Sequence, residues 1–556
     1  MPFAYAQVIL TKRAYIQLKW DAHYWQAEWQ RLRIREQEAL QRVAELKAQL
    51  RTEREQAQAR IAELEGQIRD LRQQLFGQSS EKQRGANDTG SRSKSRRNRG
   101  QQRGQGGHGR SGPEPHLPVL EQEVDLAEEA KRCPCCGLSY EPLASVETSD
   151  VIEVSVRAYV RRVRRKRYRR TCQCPTTPAL ISAPPPARLI PKGKLGISVG
   201  VEILLDKYAY GRPTHRLLRS LRDRGLRLAP GTITGGLHLI APLLAPVVEA
   251  LRQHLVDGER WHVDETRWMV WSAESAGTHR RGYLWVFVSP RAALYCVDPS
   301  RSAQVPKGVL GKAEGIVICD RYSAYKKLQR ECPDLLLAFC WSHVRRDFLK
   351  VARKHPVLER WSLAWVRRIR GLYRLNERRL TTLAQPEPFT KQDQRLKKCL
   401  AGMHTRCNHE LNQPHLPLEA KKVLLSLRKH WQGLCVFADH PQVPMDNNEA
   451  ERALRDPVVG RKNFYGSGSA WSGQLAAWMF SLLMTLNLWK INPYLWLVSY
   501  LEACATNANQ PPVVLTPYLP WTLTEQQLTE LRNHGPPNQD TRDAELLIGT
   551  TELNSS

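Results

Sequence analysis

The chain has 556 residues, with 84 Lys and Arg against 55 Asp and Glu and a formal net charge of +29 at pH 7. This length predicts several domains, because single hydrophobic cores rarely grow beyond about 300 residues. The charge favours a polyanionic partner, for which nucleic acid is the first candidate, and by itself it does not separate DNA from RNA or from an anionic membrane.

Cysteine usage and hydropathy indicate an intracellular protein. The 13 cysteines are an odd number in a long chain and do not suggest a secreted disulfide framework. The start of the chain lacks the order of a signal peptide. The longest apolar stretch, 475–489, is too short to span a bilayer comfortably and is predicted to be a buried core helix. We therefore expect a soluble cytoplasmic protein that associates with the nucleoid and not with a membrane.

The first region, 1–78, is predicted to be helical, and a heptad pattern runs through 31–76. Apolar residues fill most a and d positions, although Lys47 and Arg54 interrupt the a positions. The pattern predicts a coiled coil that pairs two copies of the chain. A single amphipathic helix packed on its own domain is the alternative. The following segment, 79–118, is basic and poor in apolar residues, and is predicted to be a disordered linker.

A cysteine-rich unit is predicted at 119–186. Cys133 and Cys136 have the spacing of a zinc knuckle, and Cys172 and Cys174 form a second, tighter pair. Four thiolates would complete a structural zinc site and leave Cys135 spare. A reduced, metal-free cluster is the alternative, because the second pair is separated by one residue instead of two.

A strongly basic run lies between the two cysteine pairs. Residues 151–170 alternate in the manner of a strand pair, which predicts a ribbon with one charged face for phosphate contact. A solvated strand is the alternative. The predicted DNA-binding residues of this run are Arg161, Arg162, Arg164, Arg165, Lys166 and Arg167.

The next region, 187–255, is predicted to be helical. A helix over about 214–224, a turn at Gly225 and a second helix from Pro230 or Thr232 have helix-turn-helix spacing. The same spacing is common in ordinary helical packing, so both interpretations stand.

A strand-rich block opens the region 256–490. Alternating and apolar runs predict strands over 260–271, 282–288, 292–297, 315–319 and 335–340, followed by a helix over 342–353. Three strands followed by two more with helical segments match an RNase H-like α/β domain better than an alternating doubly wound sheet.

Two of these strands carry acids that an apolar strand does not explain. Asp264 lies inside the first strand and Asp320 ends the fourth. An unpaired buried carboxylate is costly, so each acid either caps a turn, pairs with Arg267 or Arg321, or binds a ligand.

A third acid lies in the segment 445–463, which reads as the start of a helix. Asp446, Asn447 and Asn448 are typical capping residues. On such a helix Glu451 shares a face with Asn447, whereas Glu449 points elsewhere. Asp264, Asp320 and Glu451 together suit Mg²⁺, which prefers oxygen ligands. A solvated helix with ion pairs is the alternative.

Basic residues surround and follow this helix. Arg452, Arg455, Arg461 and Lys462 are candidate DNA contacts. The Gly- and Ser-rich stretch 460–473 either grips a DNA backbone or is a plain loop.

At this point the sequence resembles the transposases of the insertion-sequence-66 family. The matching motifs are ordered along most of the chain: LFGQSSEK, the cysteine knuckle, YGRPTHRLL, HVDETRW, GYLWVFVS, PSRSAQVP, CDRYSAY, FCWSHVRRDF, DNNEAERALRDPVVGRKNFYGSGSAWSG and PYLPW. The resemblance implies an RNase H-like DDE domain in which Asp264, Asp320 and Glu451 bind two Mg²⁺ or Mn²⁺ ions.

The resemblance also covers less understood elements. Cys340 and His343 match a CxxH element, followed by Arg345 and Arg346, whose roles are open: DNA contact, structural residue or helix cap. The long separation of Asp320 from Glu451 implies a helical insertion at about 356–439. Its core candidates are Trp361, Trp365, Leu372, Leu380 and Leu424. Region 491–556 would hold a small terminal motif and a tail.

The function implied is that of a DNA transposase. It would bind the terminal inverted repeats of its element, cleave there and join the freed 3′-hydroxyls to target DNA, as a homodimer or higher oligomer and with possible helper proteins. A metal-dependent nuclease without strand transfer, and a catalytically dead DNA-binding zinc regulator, are the alternatives.

Overall fold

The structure is a computed structural model that describes residues 11–76, 125–141 except 129 and 133, 158–190 except 170, 172–175, 177 and 179, 193–271, and 280–532. The strands are β1 (Arg167–Arg169), β2 (Leu180–Ser182), β3 (Arg260–Val270), β4 (Arg280–Val288), β5 (Ala293–Asp298), β6 (Gly315–Cys319), β7 (Leu335–Phe339) and β8 (Gly466–Ser467). The helices are α1 (Lys12–Phe76), α2 (Ile197–Tyr208), α3 (Thr214–Asp223), α4 (Pro230–Val256), α5 (Gln304–Leu310), α6 (Ser323–Glu331), α7 (Trp341–Lys354), α8 (Glu359–Thr381), α9 (Pro386–Leu411), α10 (Leu418–Lys429), α11 (Trp431–Asp439), α12 (Asn448–Ala453), α13 (Arg455–Phe464), α14 (Ala470–Leu488), α15 (Pro493–Thr506) and α16 (Glu525–Arg532).

The chain divides into two compact units. One comprises Met1–Arg92 with Val344–Arg374 and Arg406–Ser426, and the other comprises the remaining residues, including the whole main sheet. The candidate acids all belong to the second unit.

A mixed sheet lies at the centre of the second unit, with the strand order β5-β4-β3-β6-β7. β3, β4 and β5 are antiparallel neighbours, and β6 and β7 run parallel to β3. The short β8 adds a parallel contact at the end of β3. The five predicted strands are confirmed within one or two residues at each end.

Tryptophans fill the core around this sheet: Trp261, Trp268 and Trp285 are fully buried. α14 covers the edge strand β5 and satisfies its free backbone groups. The N–H of Ala293 donates to Thr485 Oγ1 at 3.0 Å, and that of Tyr295 donates to Ser481 Oγ at 2.8 Å. The prediction of a buried core helix over 475–489 is confirmed by α14.

The helix-turn-helix spacing corresponds to α3, a turn with Gly225 at φ +85°, and α4. α4 has 27 residues and is the one helix among the described residues with the length and apolar composition to cross a membrane. Ten of its residues are buried, including Leu244 and Leu251, and it packs against α14, α2 and β5. The second helix of the motif is therefore chiefly a core helix, which agrees with the alternative of ordinary helical packing.

The insertion is helical, as predicted. Trp365, Leu372 and Leu424 are fully buried, and Trp361 is half-buried. The expectation for Leu380 is wrong: it is 38% exposed. The helical phase brings Arg379 inward instead, where its guanidinium pairs with Asp393 at 2.6 Å.

The last helix of the predicted insertion, α11, belongs with the sheet. It packs on β7, and Trp341 Nε1 donates to the carbonyl of Leu434 at 2.7 Å. In the other unit, Glu410 accepts hydrogen bonds from the indole groups of Trp361 and Trp365, each at 2.9 Å.

α1 is a single helix of 65 residues that begins well before the heptad pattern. Several heptad residues, including Leu40, Leu50 and Ile61, are exposed. The coiled coil stays a prediction, and the linker 79–118 lies outside the described residues.

The prediction of a strand pair within 151–170 is wrong over the residues that are described. Residues 158–166 have no regular structure, and β1 pairs instead with β2, outside that range. Tyr159 and Val160 are 76% and 90% exposed. Without burial of apolar side chains a two-stranded ribbon gains little stability, so only three residue pairs form.

Three of the four predicted zinc ligands, Cys133, Cys172 and Cys174, lie outside the described residues. Cys135 and Cys136 are exposed thiols in a tight turn that includes Gly137 at φ +73° and is closed by a bridge between Arg132 and Ser139.

At the other end of the chain, Trp521 of the PYLPW motif stacks on His254 with ring centroids 4.1 Å apart.

Candidate active site

Asp264 lies in the middle of β3 and is half-buried. Its Oδ1 accepts a hydrogen bond from the backbone N–H of Glu265 at 2.9 Å. Burial, together with the negative charges of Glu265, Asp320 and Glu451, raises the pKa of Asp264 to about 7. The Asp264 carboxylate is therefore poorly compensated by the protein itself.

Asp320 follows β6 directly, beside the strand that carries Asp264. The last pair of the parallel ladder joins His262 and Ile318, so each acid comes two residues after that pair, and the charge of Asp320 acts on Asp264. Asp320 Oδ1 accepts from the N–H of Tyr322 at 2.8 Å, which closes the turn after the strand.

Glu451 comes from α12, and its charge acts on Asp264. Its Oε1 is 3.9 Å from Nε2 of His343. Glu449 is 49% exposed and lies beside His262, with Oε2 3.8 Å from Nε2. The two acids of this helix therefore point to different surroundings, as the helical face argument predicts.

Asn447 fastens α12 to the sheet, a role that the sequence analysis did not assign to it. Its buried amide donates to the carbonyl of Val263 at 2.8 Å and lies 3.0 Å from Nδ1 of His262. Its backbone N–H donates to Cys340 Sγ at 3.3 Å, and its carbonyl accepts from the N–H of Glu451 at 3.2 Å. One residue thus contacts the strand of Asp264, the CxxH element and the helix of Glu451.

Asn447 does not act as the predicted side-chain cap. It makes no side-chain capping hydrogen bond to α12. Asp446 makes a side-chain contact at the start of the helix instead, since its Oδ1 accepts a hydrogen bond from the N–H of Asn448 at 3.2 Å. The structure gives the CxxH residues distinct positions: Cys340 is buried against Asn447, and His343 lies beside Glu451.

Glu265 makes a second network behind the strand. Its carboxylate is 2% exposed and accepts hydrogen bonds from Arg301 Nε at 2.8 Å and from the Tyr325 hydroxyl at 2.5 Å. Burial raises the pKa of Glu265, and the two donors oppose that shift. Arg301 also lies over the ring of Tyr322, 4.1 Å from its centroid. The sequence contained a signal for this separate role of Glu265, because adjacent residues such as Asp264 and Glu265 face opposite sides of a strand.

The predicted DNA contacts near α12 divide into two groups. Arg452, Arg455 and Lys462 are exposed. Arg461 instead donates to Thr266 Oγ1 at 3.1 Å and to the carbonyl of Arg267, which ties α13 to β3. Arg345 and Arg346 are half-buried on α7, and the basic run Arg161–Arg167 is exposed. These DNA contacts stay predictions.

The donor set of the three acids fits a hard divalent cation. All three offer carboxylate oxygens, and their mutual repulsion favours a cation between them. Among the described residues, no group of three or more His, Cys, Asp or Glu side chains lies close enough together to hold a metal ion as the side chains stand. The acids are thus within electrostatic range of each other without forming a closed metal cage.

Comparison with known proteins identifies the family. Two relatives from Sinorhizobium fredii (strain NBRC 101917 / NGR234) carry the names uncharacterized protein y4hP and uncharacterized protein y4jD. The first is 26% identical over an alignment of 426 residues that covers 72% of this chain and 75% of the relative. The second is 26% identical over an alignment of 437 residues that covers 74% of this chain and 82% of the relative. The family described as Transposase IS66 family matches residues 192–475, and the chain belongs to this family of transposases.

Proposed function

We propose that this transposase cuts DNA at the ends of its element and joins the freed 3′-hydroxyls to target DNA. Asp264, Asp320 and Glu451 are the catalytic acids, within an RNase H-like domain. The observation that carries the proposal is the convergence of three carboxylates from β3, the end of β6 and α12. Burial raises the pKa of Asp264 to about 7, and the charges of Glu265, Asp320 and Glu451 add to that shift.

The chain's own residues prepare the site for phosphoryl transfer. The three carboxylates would hold two Mg²⁺ or Mn²⁺ ions, which activate the attacking oxygen and stabilise the leaving oxygen. Asn447 fixes α12 against β3, so that Glu451 keeps its position relative to Asp264. Exposed cations on α12 and α13 contact phosphates.

Other parts of the chain bind and pair the DNA ends. The exposed basic run at residues 161–167 and the helices α3 and α4 recognise the terminal repeats, with zinc as the structural ion of the cysteine-rich unit. α1 pairs two copies, because two element ends must be brought together, and the complex forms in the cytoplasm, at the nucleoid.

The first test compares variants of two proposed catalytic acids with a variant of Glu449, which lies on the same helix as Glu451. Purified wild type, Asp264→Asn, Glu451→Gln and Glu449→Gln are incubated with labelled element ends, a target plasmid and Mg²⁺. We expect joined products from wild type and Glu449→Gln, and none from the other two. All four proteins should bind element ends alike, because only the metal site is lost.

Each other outcome has a definite meaning. If the wild type cleaves DNA with Mg²⁺ but joins nothing, the result would favour a metal-dependent nuclease without strand transfer. If every protein binds DNA and none cleaves it, the result would favour a catalytically dead DNA-binding regulator. Equal activity of Glu451→Gln and the wild type would exclude Glu451 as the third acid.

A binding measurement checks the metal site without activity. We expect Mg²⁺ to raise the Tm of the wild type, because a cation that binds only the folded state stabilises it. The Tm of Asp264→Asn should rise much less. Equal shifts for both proteins would contradict metal binding at Asp264.

A further inference from the structure

A basic groove lies beside α3, and none of the three acids lines it. Its volume is about 520 Å³, and it is lined by the loop before α3, one face of α3 and the end of α13. The residues that matter here are Tyr210, Arg212, Arg216, Arg219, Asp223 and Asn463.

The charges in this groove are mostly positive and accessible. Arg216 and Arg219 are exposed and share a face of α3, since they are three residues apart. Neither makes an ion pair with any other described residue. Arg212 is oriented by the buried Asp206, with Nη1 and Oδ1 3.2 Å apart. Asp223 is the one acid among the lining residues, so the groove carries an excess of guanidinium groups.

Tight packing gives the groove a fixed shape. Gly211 has φ +62°, and a Cβ there would lie 3.3 Å from the Cα of Gly460 on α13. Asn463 Nδ2 donates to the carbonyl of Gly211 at 2.9 Å. Lys207 Nζ lies 4.9 Å from the ring centroid of Phe464. The loop before α3 and the helix α13 are therefore held together before any ligand binds.

The same helix connects the groove to the catalytic acids. α13 follows α12 directly, so the wall that holds Asn463 continues from the helix of Glu451. Arg461 ties α13 to Thr266 and Arg267, which follow Asp264 on β3. A ligand held in the groove is thus positioned relative to both Asp264 and Glu451.

We propose that this groove binds the phosphate backbone of one DNA strand and so directs that strand towards the acids. Guanidinium groups present planar donors that match phosphate oxygens, and the side chain of Tyr210, 69% exposed, offers a ring for stacking against a sugar or base. The groove is too small for a whole duplex. This inference rests on the proposed function only in taking DNA as the substrate, and it concerns binding, which is measurable without cleavage.

The test removes two charges from the groove and two from elsewhere on the chain. Arg216→Gln/Arg219→Gln is compared with Arg374→Gln/Arg378→Gln on α8, whose residues are exposed and do not line the groove. Fluorescence anisotropy with labelled element ends and with unrelated duplexes is recorded in EDTA at several salt concentrations.

We expect the groove variant to weaken binding to both DNAs and to reduce the slope of log K against log salt by about 1.8, since each phosphate contact contributes about 0.9. The control variant should keep a slope near that of the wild type. Each single variant, Arg216→Gln or Arg219→Gln, should show about half of that reduction in slope.

Equal losses in the groove and control variants would overturn the proposal, because they would reflect net charge alone. So would a groove variant that binds DNA like the wild type but no longer binds polyglutamate, which would indicate an acidic protein partner. Failure of the proposed function is distinguishable: wild type would then bind DNA through the groove and yet produce no Mg²⁺-dependent cleavage.

Discussion

At the scale of single residues, Asn447 determines how α12 meets the sheet. A carboxamide can donate to Val263 and accept from His262 at the same time, and both contacts are observed. Burial lowers the pKa of His262, which favours the neutral ring, and the tautomer with its proton on Nδ1 donates to the Asn447 Oδ1. Neither an apolar side chain nor an acid provides both contacts.

We predict that Asn447→Ala lowers the free energy of unfolding by about 1–3 kcal/mol, because the Val263 carbonyl loses its donor. The apparent Mg²⁺ affinity measured from DNA cleavage should also fall, since Glu451 loses its fixed position. Urea denaturation and a Mg²⁺ titration measure the two effects.

Asn448→Ala is the matched control, since it removes the same amide one residue along the same helix. It should leave the Mg²⁺ dependence near that of the wild type. A variant Asn447→Ala with unchanged stability and unchanged Mg²⁺ dependence would show that Asn447 has no positioning role.

At the scale of elements, β5 is an edge strand that would expose free N–H groups to pairing with another chain. α14 removes this problem with the hydroxyl groups of Ser481 and Thr485, which accept from Tyr295 and Ala293. The Tyr295 hydroxyl in turn donates to the carbonyl of Ala453, at the end of α12, at 2.8 Å. The edge of the sheet therefore supports α12.

We expect Ser481→Ala and Thr485→Val each to lower the free energy of unfolding by about 1–3 kcal/mol, because a buried N–H loses its acceptor. Thr506→Val is the control, since that hydroxyl is exposed and bonds only within its own helix, and it should change stability by less than about 0.5 kcal/mol. Equal effects from Thr485→Val and Thr506→Val would argue against satisfaction of the edge by α14.

At the scale of the whole molecule, the long helix α1 and the net charge of +29 are the features on which the proposed pairing of two copies on DNA rests. At 1.5 Å per residue, 65 helical residues extend about 98 Å. The exposed heptad residues Leu50 and Leu64 lie on the seam predicted to pair two copies.

We predict that Leu50→Glu/Leu64→Glu converts a dimer into a monomer, because two charges would face each other across an apolar seam. Thr52→Glu, at an outer heptad position, should leave the mass unchanged. Light scattering after size exclusion gives the mass directly. A wild type that is monomeric at micromolar concentration would refute pairing through α1.

The sequence by itself determined the local elements and the candidate acids. β3, β4, β6 and β7 were predicted because runs of β-branched and aromatic residues are read locally, and Asp264 and Asp320 stood out because apolar strands rarely carry acids. The choice of Glu451 over Glu449 needed only helical periodicity. The same local rules failed at Leu380 and in the basic run, where burial depends on what packs nearby.

Only the tertiary structure decided how those elements meet. The hydrogen bond between Asn447 and His262 joins residues 185 positions apart, and no local pattern reports such a contact. The same holds for Arg301 behind Glu265 and for Gly211 against Gly460, which shape the candidate site and the basic groove. The physical reason is that propensity and periodicity act within a few residues, whereas hydrogen-bond partners and burial follow from the topology of the sheet.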